Sequence, residues 1–254
     1  MRVAVVQHDI CFGDAAATID QLRPRVAEAA RAGARLVVLT EMFAPGFSME
    51  TAAVAEAEDG PSTTFLRQTA ADHGIWVCGS APIRPQPGAM PVNRFLLAGL
   101  DGDLAHYDKI HPFSYSGEQE HYAAGEVSVH LDVEGLRVTP FVCYDLRFAD
   151  LFWEAAPSTD CYVVVANWPA ARRHHWQALL RARAIENQAY VVAANRVGEG
   201  GGLAYAGDSC VVDPLGETLV AASGAETVLY ADVDPNVVAA TRTRYPFLAD
   251  RTPT

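Results

Sequence analysis

Three residues able to do acyl-transfer chemistry each stand just beyond an apolar, strand-forming run. They are Glu41 after Leu36–Leu39, Lys109 after Leu104–Tyr107, and Cys143 after Val138–Val142. A carboxylate, an ammonium and a thiol can serve as base, fixed cation and nucleophile. Ligands of α/β folds collect at the carboxyl ends of strands, so three such strand ends are placed to converge. Cys143 lies in Phe141-Val142-Cys143-Tyr144-Asp145-Leu146-Arg147-Phe148, where the apolar run breaks into residues that can start a helix, roughly Arg147 to Glu154. A sulfur at such a turn faces helix-terminal N–H donors, which favour a thiolate and can bind an oxyanion. Taken singly, each residue also has a plain structural reading: a core cysteine, a helix-entry carboxylate, a solvated loop charge.

The elements that must position them follow from periodicity. Arg2–Gln7 reads as a strand, followed by a helix from about Ala15 to Ala32 with Ile19, Leu22, Val26 and Ala29 or Ala30 at spacings of three and four, stopped by Gly33. Strand Arg35–Leu39, a helix near Ser62–His73 stopped by Gly74, and strand Ile75–Gly79 continue a βαβα rhythm that implies α/β layering. Two hairpins are expected, Val92–Leu100 with Asp103–Tyr107 and Val127–Val133 with Leu136–Val142, turning at Asp101-Gly102 and Glu134-Gly135. Then come a helix near Phe148–Ala155, strand Cys161–Ala166, a helix near Arg172–Asn187 and strand Tyr190–Ala194. The end is strand-rich, with Ser209–Val212, Thr218–Ala221 and Val228–Val233. No repeat, low-complexity tract or linker interrupts the chain, so one mixed α/β domain over residues 1–254 is expected.

Composition excludes several classes of function. A chain of 254 residues, 50% hydrophobic and 20% charged, is ordinary for a globular protein with a large core. Its longest apolar runs are strand-length, so no membrane span is expected. The N-terminus lacks a signal-peptide pattern, which makes a cytoplasmic location the default. A formal charge of −12 argues against nucleic acid or an anionic membrane as partner. The five cysteines Cys11, Cys78, Cys143, Cys161 and Cys210 form no C-x-x-C pair, so neither a disulfide framework nor a cysteine zinc site is indicated. Those other than Cys143 lie in or beside apolar runs and read as core residues. His174-His175 lacks metal-ligand spacing and reads as surface or interface. No metal or cofactor is expected, and no dinucleotide or P-loop glycine pattern is present.

The Glu–Lys–Cys triplet resembles the nitrilase, or carbon–nitrogen hydrolase, family almost end to end. The segments that carry the resemblance are Leu39-Thr40-Glu41-Met42-Phe43, Tyr107-Asp108-Lys109-Ile110-His111-Pro112-Phe113 and Val142-Cys143-Tyr144-Asp145-Leu146-Arg147-Phe148. Ala166-Asn167-Trp168-Pro169, Arg181–Gln188 and Gly207-Asp208-Ser209 with Asp213-Pro214-Leu215-Gly216 follow in the family's order. The resemblance implies a four-layer α-β-β-α sandwich that pairs into a homodimer, with the Arg172–Asn187 helix and the segment after Asp234 facing the partner. It implies that Cys143 attacks an amide carbonyl to give a thioester, and that Glu41 moves the protons. Lys109 and the Tyr144 backbone N–H would hold the oxyanion. The family's second glutamate falls on Glu118 or Glu120, and the spacing to Gly125 favours Glu118.

Within the family the chain resembles the ω-amidases, including the bacterial type acting on 2-oxoglutaramate. The carrying segments are Glu41-Met42-Phe43 with Gly46-Phe47, Val92-Asn93-Arg94-Phe95, Ala166–Ala170 and His175–Gln188. The implied substrates, 2-oxoglutaramate and 2-oxosuccinamate, carry a carboxylate opposite the amide, which needs a cationic or hydrogen-bonding anchor. Arg172 is the preferred candidate over Arg173. Arg147 reads instead as the partner of a buried carboxylate. Phe43, Phe113, Tyr115 and Trp168 are candidate apolar walls. The rival readings are an N-carbamoyl amino-acid or aliphatic amide hydrolase of the same family, and a catalytically silent scaffold.

Overall fold

A computed structural model describes residues 1–251 as two mixed sheets stacked face to face between layers of helix. The first half of the chain supplies β1 (Arg2–Gln7), α1 (Ala15–Arg31), β2 (Leu36–Val38), a single-turn α2 (Thr51–Val54), the two-residue β3 (Glu56–Ala57) and α3 (Pro61–His73). Strands β4 (Trp76–Arg84), β5 (Val92–Ala98) and β6 (Leu104–Asp108) complete that half. The second half gives β7 (Leu131–Val133), β8 (Leu136–Val142), α4 (Ala149–Ala155), β9 (Cys161–Ala166), α5 (Arg173–Asn187) and β10 (Tyr190–Asn195). It ends with β11 (Val197–Gly200), β12 (Leu203–Val212), β13 (Thr218–Ser223), β14 (Thr227–Asp232) and α6 (Pro235–Arg244).

One sheet runs β14-β1-β2-β4-β5-β6, with β3 beside β4; the other runs β11-β12-β10-β9-β8-β7, with β13 beside β12. The expected elements are present with ends shifted by a few residues. The strand before the Glu134-Gly135 turn is shorter than expected, Leu131–Val133. The last strand leaves its sequence neighbours and pairs antiparallel with β1, Val5 opposite Leu229. It thereby closes the edge of the first sheet with the far end of the chain.

Strand alternation creates the layers. Val3, Val5, Leu36, Val38, Phe95 and Leu97 point into the space between the sheets, among residues of β8, β9 and β10. The intervening Ala4, Val6, Val37, Leu39, Val77 and Leu96 point the other way, onto Ile19, Leu22 and Val26 of α1 and Phe65, Leu66 and Ala70 of α3. Trp176, Leu180 and Ala184 of α5 with Phe152 of α4 cover the second sheet. The order is therefore helix, sheet, sheet, helix, and the central strands of both sheets are buried on both faces, which explains why they read as near-continuous apolar runs. Among the described residues no helix is long and apolar enough to cross a membrane.

The sheets are joined by specific contacts as well as by burial. Tyr107 of β6 meets Phe141 of β8 edge-on, with centroids 5.8 Å apart, and Phe141 also packs on Phe152 at 4.4 Å. The Gln7 side chain accepts from the Ser209 N–H at 3.0 Å, an approach possible because Gly207 (φ +72°) has no Cβ to collide with Gln7. Phe141→Ala should remove about 3–5 kcal/mol of stability. A urea titration that leaves the midpoint where it is in wild type would show that the sheet stacking does not depend on this ring.

Candidate active site

Glu41, Lys109 and Cys143 line one pocket at the carboxyl ends of β2, β6 and β8, as their positions in the sequence suggest. Two backbone kinks deliver the ends. Cys143 sits at φ +46° where β8 stops, and a five-residue 3-10 helix, Cys143–Arg147, begins at once. Met42, next to Glu41, sits at φ +37°. Both are left-handed conformations that residues other than glycine rarely adopt, held by the surrounding structure.

Asp145 fixes the nucleophile turn to the lysine loop. Its fully buried carboxylate accepts from the Val142 N–H at 3.0 Å and the Tyr107 hydroxyl at 2.8 Å, and from the His111 backbone N–H at 2.9 Å. Those partners set the distance between the end of β8 and the end of β6. The Tyr144 N–H lies in the first turn of the short helix, where N–H groups have no intrahelical acceptor.

Lys109, the chain's single lysine, is 1% exposed and sits between two carboxylates. Its Nζ donates to Glu41 Oε1 at 3.1 Å and to Glu118 Oε2 at 2.8 Å. Burial opposes its charge, but Glu118 and Glu41 outweigh burial and hold its pKa well above the usual lysine value. Glu118 is the buried second glutamate and also accepts from the Phe113 N–H; Glu120 is exposed. Burial pushes the Glu118 carboxyl up, with Lys109 pulling the other way. The remaining Glu41 oxygen accepts from the Asn167 N–H at 2.8 Å, and the Asn167 side chain donates to the Glu41 carbonyl at 2.6 Å.

At the sulfur the structure departs from the expectation of a stabilised thiolate. Burial first, and then the Glu41 charge, raise the Cys143 pKa well above that of an ordinary thiol, and Lys109 offsets them only in part. A turn of five residues adds little dipole, while the enclosed pocket and the neighbouring carboxylate both penalise a second negative charge. Cys143 therefore rests as a thiol beside a base.

Of the expected walls, Phe113 and Trp168 line the pocket, and Arg172 joins them. Phe43 does not. The kink at Met42 turns it into the helix-side core, where its ring lies 5.9 Å from Phe65. Phe47 takes the wall position, its ring 5.4 Å from Lys109 Nζ. Tyr115 is also corrected: it is 87% exposed and outside the pocket lining, its ring 5.8 Å from that of Phe113. Cys78, Cys161 and Cys210 are buried as expected, but Cys11 is partly exposed, its sulfur 3.3 Å from Gln21 Nε2. His174 and His175 are exposed.

Arg147 was expected to pair with a buried carboxylate, and it lines the pocket instead. The nearest buried candidate, Asp145, has both oxygens occupied by the lysine loop and the Val142 N–H. The Arg147 guanidinium stacks over Trp168 at 4.7 Å and contacts His175 Nδ1 at 3.2 Å. Arg172 lies over Phe113 at 5.4 Å. Neither arginine has a carboxylate within ion-pairing distance among the described residues, whereas Arg173 is engaged with Asp208 at 2.6 Å. Reasoning from sequence also missed Asn93, Tyr205 and Asn195. Tyr205 lines the pocket from β12, and Asn195 pins Trp168 by accepting its N–H at 2.7 Å and donating to its carbonyl at 3.1 Å. A polar residue at the edge of a buried apolar run, as at Asn93 before residues 95–98 and Asn195 after residues 190–194, is the signal that could have found two of them.

This fold and site define a hydrolase of carbon–nitrogen bonds. The chain belongs to the carbon–nitrogen hydrolase family, whose model matches residues 2–243. It is 42% identical over 218 residues to the ω-amidase YafV of Escherichia coli (strain K12), covering 85% of this chain and 83% of that one. It is 29% identical over 254 residues to a 2-oxoglutaramate amidase of Bacillus subtilis (strain 168), covering 98% and 96%. Among solved structures, a CN-hydrolase superfamily protein of Xanthomonas campestris with an arsenic adduct in its active site superposes with a TM-score of 0.94. It is 38% identical and covers 100% of this chain and 98% of its own.

The charges around Cys143 give a signed expectation. Glu41→Gln removes a negative neighbour and should lower the pH at which the Cys143 thiolate appears; Lys109→Met should raise it. Ultraviolet thiolate titration, differenced against Cys143→Ala, reads both. Shifts of the same sign in the two variants would contradict this account of the site.

Proposed function

We propose that this protein is an ω-amidase, hydrolysing the terminal amide of 2-oxoglutaramate, and of 2-oxosuccinamate, to the 2-oxo-dicarboxylate and ammonia. The observation that carries the reading is the presence, in one pocket, of the Glu41–Lys109–Cys143 constellation and two arginines without carboxylate partners. The first group suits amide cleavage; the second suits a substrate with a carboxylate at its other end. The relatives named above support the same assignment.

In this mechanism Glu41 takes the Cys143 thiol proton as sulfur attacks the amide carbon, so a high resting thiol pKa is no obstacle. The carbonyl oxygen gathers negative charge between Lys109 Nζ and the Tyr144 N–H. The tetrahedral intermediate collapses with loss of its C–N bond, and the departing nitrogen takes the proton from Glu41 and leaves as ammonia. Water then attacks the thioester, giving a proton to Glu41 as its O–C bond forms. The C–S bond breaks, and the proton returns to sulfur. Glu118 keeps Lys109 in place and charged throughout. Arg172, with Arg147, receives the distal carboxylate, while Phe113 and Trp168 hold both guanidinium planes.

Ammonia release from 2-oxoglutaramate should be abolished in Cys143→Ala. Arg172→Ala and Arg147→Ala should each lose about 10- to 100-fold in kcat/KM on 2-oxoglutaramate, the loss of a charge-assisted contact. Each should change by only a few-fold on a neutral short amide. Equal losses on the two substrates would remove the arginines from substrate recognition, and turnover of the neutral amide alone would discard the keto-acid assignment.

Pairing of two copies through α5 and the C-terminal segment belongs to the same proposal. Trp153, Ile185, Val237 and Phe247 are large apolar side chains left exposed on α4, α5, α6 and the segment after it. Light scattering should give twice the chain mass, and Ile185→Glu with Phe247→Glu should halve it.

A further inference from the structure

The strand β5 is buried along its whole length, yet its second residue is an asparagine, 1% exposed. Burying an amide is costly unless every donor and acceptor finds a partner, and here all do. The Asn93 side-chain nitrogen donates to Glu41 Oε1 at 2.8 Å and to Glu118 Oε1 at 3.2 Å. Its backbone carbonyl accepts the Lys109 N–H at 3.0 Å. One residue thus touches the base, the second glutamate and the lysine.

The orientation of the amide is fixed by the two carboxylates, which only accept, so both Asn93 N–H groups face them and its oxygen faces Ser80. Ser80 Oγ accepts the Met42 N–H at 2.9 Å and donates its hydroxyl proton to Asn93 Oδ1 at 2.8 Å. The circuit begins at the backbone beside Glu41, passes through Ser80 and Asn93, and returns to the Glu41 carboxylate. It clamps both ends of the base.

We propose that Asn93 is a positioning residue that holds Glu41 and Glu118 correctly spaced around a single ammonium. Two carboxylates and one lysine leave a net negative charge in a buried site, and a neutral donor stabilises it without adding a further charge. The titratable groups around the pair are Glu41, Glu118, Lys109, Cys143, Tyr122 and Tyr205. Apart from the Lys109 ammonium, no other side chain donates to both acids among the described hydrogen bonds. The inference rests on the amidase reading only for one of its two readouts.

The test is the pH dependence of kcat/KM for amide hydrolysis, and of Cys143 alkylation by iodoacetamide, in Asn93→Ala and Ser80→Ala. Alkylation needs Glu41 to take the thiol proton, so it carries the same acid limb without any turnover. Asn93→Ala should lose about 10- to 100-fold at neutral pH, the worth of a hydrogen bond to a charged group. Its acid limb should move up by about one to two pH units, so that part of the loss is recovered in alkaline buffer. Ser80→Ala leaves the donors present but frees their orientation, and should shift the limb the same way by less. It decides the matter should Asn93→Ala not fold. A loss with an unmoved acid limb in both readouts would mean that Asn93 only packs, and no loss would overturn the proposal outright. A wild-type protein that turns over no amide, but whose alkylation limb moves in the variants, would sink the amidase reading and leave the positioning role standing.

Discussion

Everything in this structure is arranged around an ammonium buried between two carboxylates. Removing three charges from water costs many kcal/mol unless each finds partners, and the attraction between them offsets that cost only in a fixed geometry. Lys109 therefore needs Glu41 and Glu118 within hydrogen-bonding distance, and they need it. Each carboxylate is also given neutral donors: the Asn167 and Phe113 N–H groups, with Asn93 between the two. The result is a site whose charges are buried and paired before any substrate arrives, a preorganisation that favours electrostatic stabilisation of a transition state.

That geometry depends on both sheets. Glu41 follows β2 and Lys109 follows β6 in the first sheet, while Cys143 follows β8 and Asn167 follows β9 in the second. The reaction centre exists only when the two halves of the chain are stacked in register. Burial alone would allow the sheets to slide. Directional contacts across the seam prevent it: Gln7 on Ser209, Tyr107 on Asp145, and Asn167 on both ends of Glu41. The same polar contacts that complete the site thus also fix the register of the fold.

The pocket divides its tasks between aromatic and charged groups. Phe47 lies under Lys109, Phe113 under Arg172 and Trp168 under Arg147, so each cation rests against a ring that limits its motion and shields it from water. Trp168 is in turn held by Asn195 at its backbone and by the Arg172 carbonyl at its indole N–H. The Cys143 thiol, the Lys109 ammonium and the Arg147 and Arg172 guanidiniums thus share one pocket with the aromatic rings of Phe47, Phe113 and Trp168.

The sequence by itself determined the long strands and helices up to β14, though not α2, β3, β11 or α6, and three of the four charged or nucleophilic groups at the centre. Long apolar runs broken abruptly by Glu41, Lys109 or Cys143 have few explanations, because a buried polar side chain is costly and must have a use. It also preferred Glu118 to Glu120, a choice that only the fold could turn into a buried ion pair. What tertiary structure decided is direction. The left-handed kink at Met42 sends Phe43 into the core and brings Phe47 to the pocket. Asp145, taken up by the lysine loop, leaves Arg147 to face substrate space. Strand β14 pairs with β1, more than two hundred residues away. Residue type and spacing are local properties, whereas the way a side chain points, and which partner has already claimed its neighbour, are set by groups that the chain brings close only when it folds.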